Sequence, residues 1–362
     1  MLIVDAHLDI AWNALQFERD LLQSVHTIRQ TETTLAGKGR ALNTVALPEM
    51  RQGRVFLSVA TLLARASGHP APGIEYRSVE QAHAVAKGQL AYYRALEAAG
   101  HIRIIENVRQ LEAHVADWQA FDADAMPAMA PPLGFVISME GADPITRPEE
   151  LEHWHALGLR LLGPAHYGPN RYAGGTGVEL GLTDDLGARL LREMQRLNIA
   201  LDCTHLCDQS FWEAVKVFDG ALLASHQNCR ALVPMQRQFS DEQLRVIIER
   251  DGVIGASFDI IMVRPGWQPA SMHNLTAPNP VLLAEVVEHI DHVCQLAGDA
   301  QHAAIGSDLD GGFGREQSPR DLDTIADLQK IAGLLAGRGY AGEDIAAILH
   351  GNWLRFLRRV LA

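Results

Sequence analysis

Residues 185–226 read DLGARLLREMQRLNIALDCTHLCDQSFWEAVKVFDGALLASH, and this stretch contains the pattern that decides the fold. A helical pattern over 185–197 is followed by an apolar run over 199–204, and a second apolar run follows at 221–226. Short apolar runs that alternate with helical segments are typical of βα units built on a parallel sheet. Each of the two runs leads into a histidine.

The same alternation extends over the rest of the chain. Helical patterns are clearest at 78–99, 185–197, 240–250, 281–297 and 321–336. Eight candidate strands lie at 2–8, 55–63, 133–140, 159–165, 199–204, 221–226, 252–258 and 302–307. Eight strands with helices between them favour a closed (β/α)8 barrel, the TIM barrel of the α/β class, over an open sheet. No domain boundary interrupts the pattern, so we expect residues 1–362 to form a single barrel domain.

Three connections between these elements are long. The first contains TVALPEMRQGRV at 44–55 and is expected to cover part of one face of the barrel. The other two, at 166–184 and 259–280, are rich in Gly or Pro. Long loops in compact domains are usually lids or binding loops. We therefore expect these two loops to border a site.

The composition indicates a large core and an acidic surface. Of the 362 residues 48% are hydrophobic, and the formal net charge is −13. This charge argues against a nucleic-acid partner, because binding phosphates needs a cationic face. The four cysteines form no CxxC pair, which favours reduced thiols over a disulfide framework.

Nothing in the sequence predicts a membrane segment. It contains no run of about 18 apolar residues, the length that a membrane-spanning helix needs. The first residues, MLIVDAHLDI, lack the basic and apolar regions of a signal peptide. The last stretch, NWLRFLRRVLA, has the pattern of a basic amphipathic helix, which we expect to pack on the barrel rather than on a membrane. The expected location is the cytoplasm.

The ends of the predicted strands select a few of the sixteen histidines. In a barrel of this kind, catalytic groups lie where strands end and the following loops begin. Four histidines meet this condition, namely His7, His166, His205 and His226. An arbitrary histidine is more often a surface or core residue than a ligand, so position is what distinguishes these four.

Carboxylates stand at equivalent positions. Asp9 follows His7 in the HxD of VDAHLDI, and side chains at i and i+2 of a strand project to the same face. Glu140 ends the apolar run LGFVISME, so its charge should be buried and should need an arginine or a metal ion as partner. Asp308 and Asp310 follow the last strand in AIGSDLDGG.

Together these groups favour a site for two divalent ions. Imidazole and carboxylate ligands suit zinc, and three histidines with two carboxylates exceed one tetrahedral site. A bridging ligand is therefore expected. The four lysines all lie away from the strand ends, which argues against a carbamylated-lysine bridge and leaves Glu140 for that role. We expect two metal ions per chain, with zinc as the first candidate.

Several segments, in their order along the chain, resemble the renal (membrane) dipeptidases, a metallopeptidase family of the amidohydrolase superfamily. They are DAHLDI, LPEMRQGRV, MEG, AHYGPN, DCTH, ASHQNCR, RQFSDEQL, GSDLDG and HGNWLRF. The resemblance implies a barrel of the metal-dependent hydrolase type that hydrolyses dipeptides with free termini. It also implies tolerance of a D-residue at the C-terminal position of the substrate.

The resemblance further implies how the metal ions are held. The zinc ligands would be His7, Asp9, Glu140, His205 and His226. His7 and Asp9 would hold one ion, His205 and His226 would hold the other, and Glu140 would bridge the two.

Three residues would act on the substrate by the same resemblance. His166 would bind the substrate and stabilise the oxyanion, Arg237 would bind the terminal carboxylate, and Asp308 would be the catalytic aspartate that transfers the proton. Two alternatives stay open. Arg237 could instead be a surface arginine at the start of a helix, and Asp310 could hold the chemistry assigned to Asp308.

The chain departs from the family pattern in three places. The segment that ends at His166 is GPAH where relatives usually have LTH, and SHQNC replaces a more usual SHS-type continuation. Both are expected to change packing only. The third departure is Asp259 in SFDII, where the family often has a tyrosine near the substrate carboxylate. Asp259 is therefore a candidate substrate-binding residue that changes which substrates fit.

Other functions also stay open at this point. The same metal ions could serve hydrolysis of a different amide, such as an N-acyl amino acid or a β-lactam, or the barrel could bind ligands without catalysis. The expected partner is a small dipeptide, with no nucleic acid and no membrane. A homodimer is left open.

Overall fold

Nine parallel strands lie in the described part of the chain, which comprises residues 1–68, 71, 73–121, 130–268 and 279–362 of a computed structural model. They are β1 (Ile3–Leu8), β2 (Val55–Leu63), β3 (Ile102–Ile104), β4 (Leu133–Glu140), β5 (Leu159–Gly163), β6 (Ala200–Asp202), β7 (Leu222–Leu223), β8 (Ile254–Ala256) and β9 (Ala303–Ile305). Every residue of β1, β2 and β4 is buried. Burial on both faces explains why these strands are nearly continuous apolar runs.

Eight of the strands form a ring. Strands β1, β2, β4, β5, β6 and β7 pair in that order. A bridge from Ala224 to Ile254 joins β7 to β8, and β8 pairs with β9. The amide of Asp308 donates to the carbonyl of His7 at 3.3 Å, which joins the end of β9 to β1. The result is the predicted (β/α)8 barrel, with each predicted strand present.

Asp5 strengthens the junction between the first and last strands. Its buried carboxylate accepts hydrogen bonds from the amide of Ser307 at 2.8 Å, from the hydroxyl of the same serine, and from the amide of His7 at 3.2 Å. These contacts fix the ends of β1 and β9 beside each other, so the residues that follow the two strands begin from a rigid base.

The sequence pattern did not reveal β3. This strand has only three residues, and it pairs with the first residues of β4, where β5 does not reach. Three residues are too few to establish a period of two. The strand lies outside the ring and carries no residue of the site.

Helices occupy the connections between strands. They are α1 (Ile10–Gln16), α2 (Val25–Thr31), α3 (Leu47–Gln52), α4 (Val79–Ala98), α5 (Val108–Ala120), α6 (Leu151–Ala156), α7 (Asp184–Arg196), α8 (Asp208–Val217), α9 (Asp241–Glu249), α10 (Leu283–Ala297), α11 (Lys330–Gly337), α12 (Gly342–Ala346) and α13 (Asn352–Val360). Four predicted helices correspond to α4, α7, α9 and α10. Local signals set their starts; at α9, for example, Ser240 and Gln243 form a reciprocal capping box.

The helix predicted at 321–336 begins later than expected. A 3₁₀ turn at Ile325–Gln329 precedes α11. Thr324 accepts a hydrogen bond from the amide of Ala326, and Asp327 accepts from the amide of Asp323. These side chains cap a new turn at this point, so the preceding residues cannot continue the same helix.

The C-terminal helix packs on the barrel, as predicted. In α13 the indole of Trp353 donates to the carbonyl of Ile305 at 2.8 Å, and Phe356 is buried. Arg359 on the outer side pairs with Asp251 at 2.8 Å. Among the described residues, no helix combines the length and the apolar character needed to cross a bilayer.

The long connections lie at the carboxyl ends of the strands. The first includes α3, and the loop at 166–184 folds back on itself through bridges such as Tyr167 to Thr176. Of the loop predicted at 259–280, residues 269–278 lie outside the described residues.

Candidate active site

A cavity of about 430 Å³ opens at the carboxyl ends of the barrel strands. Polar side chains at the ends of seven different strands line it, because parallel strands in a closed ring all end at the same face. They include Asp9, Glu140, His166, His205, His226, Asp259 and Asp308. His7 lies directly behind this surface and is buried.

Two histidines meet one oxygen of Glu140. The Nε2 atoms of His205 and His226 lie 3.1 and 3.4 Å from Glu140 Oε1, and 3.1 Å from each other. On the far side of each ring, Nδ1 contacts a hydroxyl, that of Thr176 for His205 and that of Ser225 for His226, both at 2.9 Å. Hydroxyl partners on Nδ1 hold both rings with Nε2 facing the carboxylate.

The other oxygen of Glu140 faces a second group. His7 Nε2 lies 3.6 Å from Glu140 Oε2 and 4.0 Å from one oxygen each of Asp9 and Asp308. All three distances are too long for a hydrogen bond. His7 Nε2 and Asp9 Oδ1 are buried and have no hydrogen-bond partner among the described residues.

Buried polar atoms without partners are costly, roughly 1–3 kcal/mol each. A cation between His7, Asp9 and Glu140 would give these atoms a partner, so the residues present fit a metal ion. Within the described residues, three overlapping sets have ligand atoms close enough to share an ion. They are His7, Glu140 and His226; Glu140, His166 and His205; and His7, Asp9 and Asp308.

The charges of the cluster also favour a cation. Burial raises the pKa of Asp9 to about 7, and the charge of Glu140 contributes to the same shift. Burial raises the pKa of Asp308 well above its usual range, and Glu140 and Asp9 add to this. Burial alone would lower the pKa of His7, but the carboxylates of Glu140 and Asp9 outweigh it and raise it to about 10. Crowded, buried carboxylates of this kind disfavour further negative charge, and a bound cation would relieve that repulsion.

The other histidines of the cluster have lowered pKa values. Burial lowers the pKa values of His205 and His226 well below the usual range, and lowers that of His166 to about 4. Burial would raise the pKa of Glu140, but the surrounding histidines, His166 and His7 first, outweigh it and hold it well below its usual range. Neutral imidazole and ionised carboxylate are the forms that bind divalent metals.

Asp308 and Asp310 have different surroundings. Asp308 lies on the cavity wall with a left-handed backbone, φ +58°. A Cβ at Gly311 would lie 1.8 Å from Asp308 Oδ1, so a side chain at this position would displace the Asp308 carboxylate. The buried Asp310 carboxylate instead accepts from the amide and hydroxyl of Thr44, at 2.7 and 2.8 Å, and from the amide of Val45 at 3.0 Å. Asp310 thus joins the last strand to the first long connection and faces away from the cavity.

Arg237 is a buried wall of the cavity and not a surface arginine. It is 4% exposed, and its guanidinium donates to Gln227 Oε1 at 2.8 Å and to the carbonyl of His226 at 3.0 Å. Gln227 also donates to the carbonyl of Arg237 at 2.9 Å. The expectation that SHQNC changes packing only is therefore wrong, because its glutamine holds the arginine in place.

Asp259 lines the same cavity as Arg237. Its Oδ1 accepts from the amide of Ile261 at 3.0 Å and from Gln317 Nε2 at 2.8 Å. Burial raises the pKa of Asp259 above its usual value. These hydrogen bonds and the nearby charges of Lys38 and Arg237 oppose the shift but do not cancel it.

The profile of the membrane dipeptidase family, peptidase family M19, matches residues 1–362. The chain belongs to this family. Membership places it among the metal-dependent hydrolases of peptide bonds, in agreement with the barrel and with the metal-ligand sets described above.

Two solved structures are similar to the chain over nearly its whole length. A solved metallopeptidase of this family, dipeptidase AC, is similar with a TM-score of 0.78 at 25% identity, over 100% of this chain and 99% of that chain. A metallopeptidase from Rhodobacter sphaeroides, liganded with a phosphinate mimic of the dipeptide L-Ala-D-Ala, has a TM-score of 0.75 at 24% identity over 99% of both chains.

Curated protein sequences match the chain at similar levels of identity. A protein from the pqqA 5′ region of Klebsiella pneumoniae is 29% identical over 236 residues, 63% of this chain and 82% of that protein. The chain spans about half the length of the further curated relatives, which include dipeptidases from Aspergillus oryzae and Claviceps purpurea.

Three residues of this dipeptidase-family site were missed in the sequence. Arg65 contacts His166, Thr176 contacts His205, and Gln227 contacts Arg237. For Arg65 a signal existed, because a charged residue follows directly on the apolar run of β2. The other two come from loops, whose contacts no local pattern predicts.

Proposed function

We propose that the chain is a zinc-dependent dipeptidase that holds two divalent ions and hydrolyses dipeptides with free termini. The observation that carries the proposal is the position of Glu140. One of its oxygens lies between the Nε2 atoms of His205 and His226, and the other faces His7. With Asp9 beside His7, these five side chains supply two adjacent ligand sets that share one carboxylate.

The ions would lower the pKa of water, so that hydroxide is available near neutral pH, and would polarise the scissile carbonyl. The chain supplies the remaining groups. His166 would donate a hydrogen bond to the carbonyl oxygen as negative charge develops there. Asp308 would accept the proton of the attacking water and pass it to the leaving nitrogen.

Arg237 would bind the terminal carboxylate of the substrate. An arginine has five N–H donors in a planar fork. Gln227 and the carbonyl of His226 accept from two of its nitrogens, which fixes the plane of the fork and leaves other N–H groups for the substrate. The side chain of Asp259 also lies on the wall of this cavity. Its carboxylate would select among the C-terminal side chains of the substrate.

We also propose that residues 1–362 act as one barrel domain in the cytoplasm. All four cysteines are free and buried, which suits a reducing compartment. Tolerance of a D-residue at the second position belongs to the proposal as well, and the ligand of the Rhodobacter sphaeroides relative motivates it.

A dipeptide library tests the function directly. Zinc-loaded protein should release free amino acids from dipeptides, including L-Ala-D-Ala, and should leave N-acylated analogues and β-lactams intact. Preferred cleavage of the N-blocked compounds would instead assign a different amide as the substrate. No turnover of any dipeptide would contradict the proposal.

Exchange of Arg237 for lysine should mainly raise KM. Lysine keeps the charge but lacks the planar fork, and a charge-assisted hydrogen bond contributes roughly 1.5–3 kcal/mol, so we expect an increase of roughly 10- to 100-fold. Steady-state kinetics on one good dipeptide measures this. Arg230→Lys is the matched control, because Arg230 pairs with Asp208. Equal cleavage of amidated and free-acid dipeptides by the wild type would refute the carboxylate clamp.

Dipeptides with an acidic C-terminal side chain should be poor substrates. The Asp259 carboxylate would repel them by about 1 kcal/mol or more at close range, which lowers kcat/KM by roughly fivefold or more relative to alanine. Asp259→Asn should remove most of this discrimination while leaving the alanine substrate little changed. Acidic C-terminal residues at the top of the wild-type ranking would contradict this role.

A further inference from the structure

Arg65 approaches the site from the end of β2. It is 4% exposed, and its main chain is held by hydrogen bonds to Ile74 and from Tyr76, both at 2.8 Å. Its Nη1 lies 3.1 Å from His166 Nδ1 and 3.4 Å from the carbonyl of Tyr167. On the other side, its Nε lies 3.4 Å from Glu75 Oε2.

This contact determines which nitrogen of His166 carries the hydrogen. A guanidinium is always protonated and only donates. His166 Nδ1 must therefore accept, and in the neutral ring the hydrogen lies on Nε2. The partners of His205 and His226 on Nδ1 are hydroxyls, which donate or accept equally well, so those rings remain free to present a lone pair on Nε2.

The distinction matters because His166 lies where a ligand would lie. Its ring shares a potential metal-binding set with Glu140 and His205. His166 Nε2 is 3.8 Å from Glu140 Oε1, too far for a hydrogen bond, and the residue lines the cavity. With a lone pair, this nitrogen would bind a cation and repel an oxyanion. With a hydrogen, it donates to an oxygen of the substrate.

We propose that Arg65 is a positioning residue that holds His166 as the Nε2–H tautomer, so that His166 donates to the substrate and does not bind metal. The proposal rests on the dipeptidase function proposed above and adds a residue to it. Arg65 also lines the cavity, but in this scheme its contact with His166 is the one that matters for the reaction. It acts through His166 alone.

Nitrogen-15 NMR of the zinc-loaded protein, labelled at histidine, reads the tautomer. A protonated and an unprotonated imidazole nitrogen have well-separated shifts, and the signals that disappear in His166→Asn identify the ring. We expect the hydrogen on Nε2 in the wild type and in Arg65→Lys, which keeps a permanent donor. Methionine has a side chain of similar length to arginine but no N–H donor. In Arg65→Met the Nδ1–H form of His166 should therefore appear.

Kinetics provides the second readout. Arg65→Met should lower kcat by up to roughly 10²-fold with little change in KM, since a donor to the developing oxyanion is misdirected. Arg65→Lys should recover part of the loss. In a His166→Ala background, Arg65→Met should add little, because the two residues act as one unit. Glu75→Gln is the matched control: it weakens the other contact of Arg65 and should leave kcat near wild type.

Two results would overturn the proposal. One is a wild-type His166 with its hydrogen on Nδ1, and the other is an equal loss of kcat from Arg65→Met with and without His166. Should Arg65→Met fail to fold, the wild-type spectrum and Arg65→Lys still decide the tautomer. The NMR measurement does not need turnover, so an inactive wild type refutes the dipeptidase function separately.

Discussion

Asp308→Asn should lower kcat for a good dipeptide substrate by roughly 10²–10⁴-fold, the usual range of general acid–base catalysis. Asparagine has nearly the same shape as aspartate but cannot accept and pass on a proton. KM should change little, because this contact is needed mainly in the transition state. The zinc content should stay close to two ions per chain, because the five proposed ligands do not include Asp308.

The metal measurement is essential here, since one oxygen of Asp308 lies 4.0 Å from His7 Nε2. If Asp308→Asn loses a metal ion as well as activity, Asp308 is a metal ligand and not a proton carrier. Asp310→Asn is the matched control. Its carboxylate accepts three hydrogen bonds from Thr44 and Val45, so this change should reduce stability by roughly 1–3 kcal/mol and spare kcat in the folded enzyme. If Asp308→Asn keeps a near-normal kcat while Asp310→Asn folds but is inactive, the two roles are reversed.

Glu140→Gln should remove most of the bound metal. The substitution deletes the shared negative charge and replaces one ligand oxygen with an NH2 group, which cannot bind a cation. Both ligand sets lose their common member, so the two ions should be lost together and activity with them. Elemental analysis of zinc-reconstituted protein measures the effect, with up to two ions per chain expected in the wild type.

Glu112→Gln is the control for removal of one carboxylate, because Glu112 is exposed and pairs with Arg358 outside the site. It should retain the wild-type metal content. One ion or none in fully reconstituted wild type would contradict the binuclear proposal, whatever the variant shows. Retention of both ions by Glu140→Gln would contradict the bridge alone.

Much of the fold was predictable because its signals are local. Strands buried on both faces are apolar runs of recognisable length, as in β1, β2 and β4. A strand of three residues, β3, has no period to detect, and the 3₁₀ turn before α11 depends on caps formed by Thr324 and Asp327. For these reasons β3 was not predicted and the start of α11 was predicted too early.

The sequence by itself determined the barrel and the residues at its carboxyl end, since position at the end of a strand is enough to bring His7, Glu140 and His226 to one face. Only the tertiary structure decided their partners. It separates Asp308 in the cavity from Asp310 against Thr44, although both follow the same strand. It brings Arg65 to His166 across 101 positions of sequence. A hydrogen-bond partner depends on the distance and direction between side chains from different βα units, and packing of the whole ring sets both.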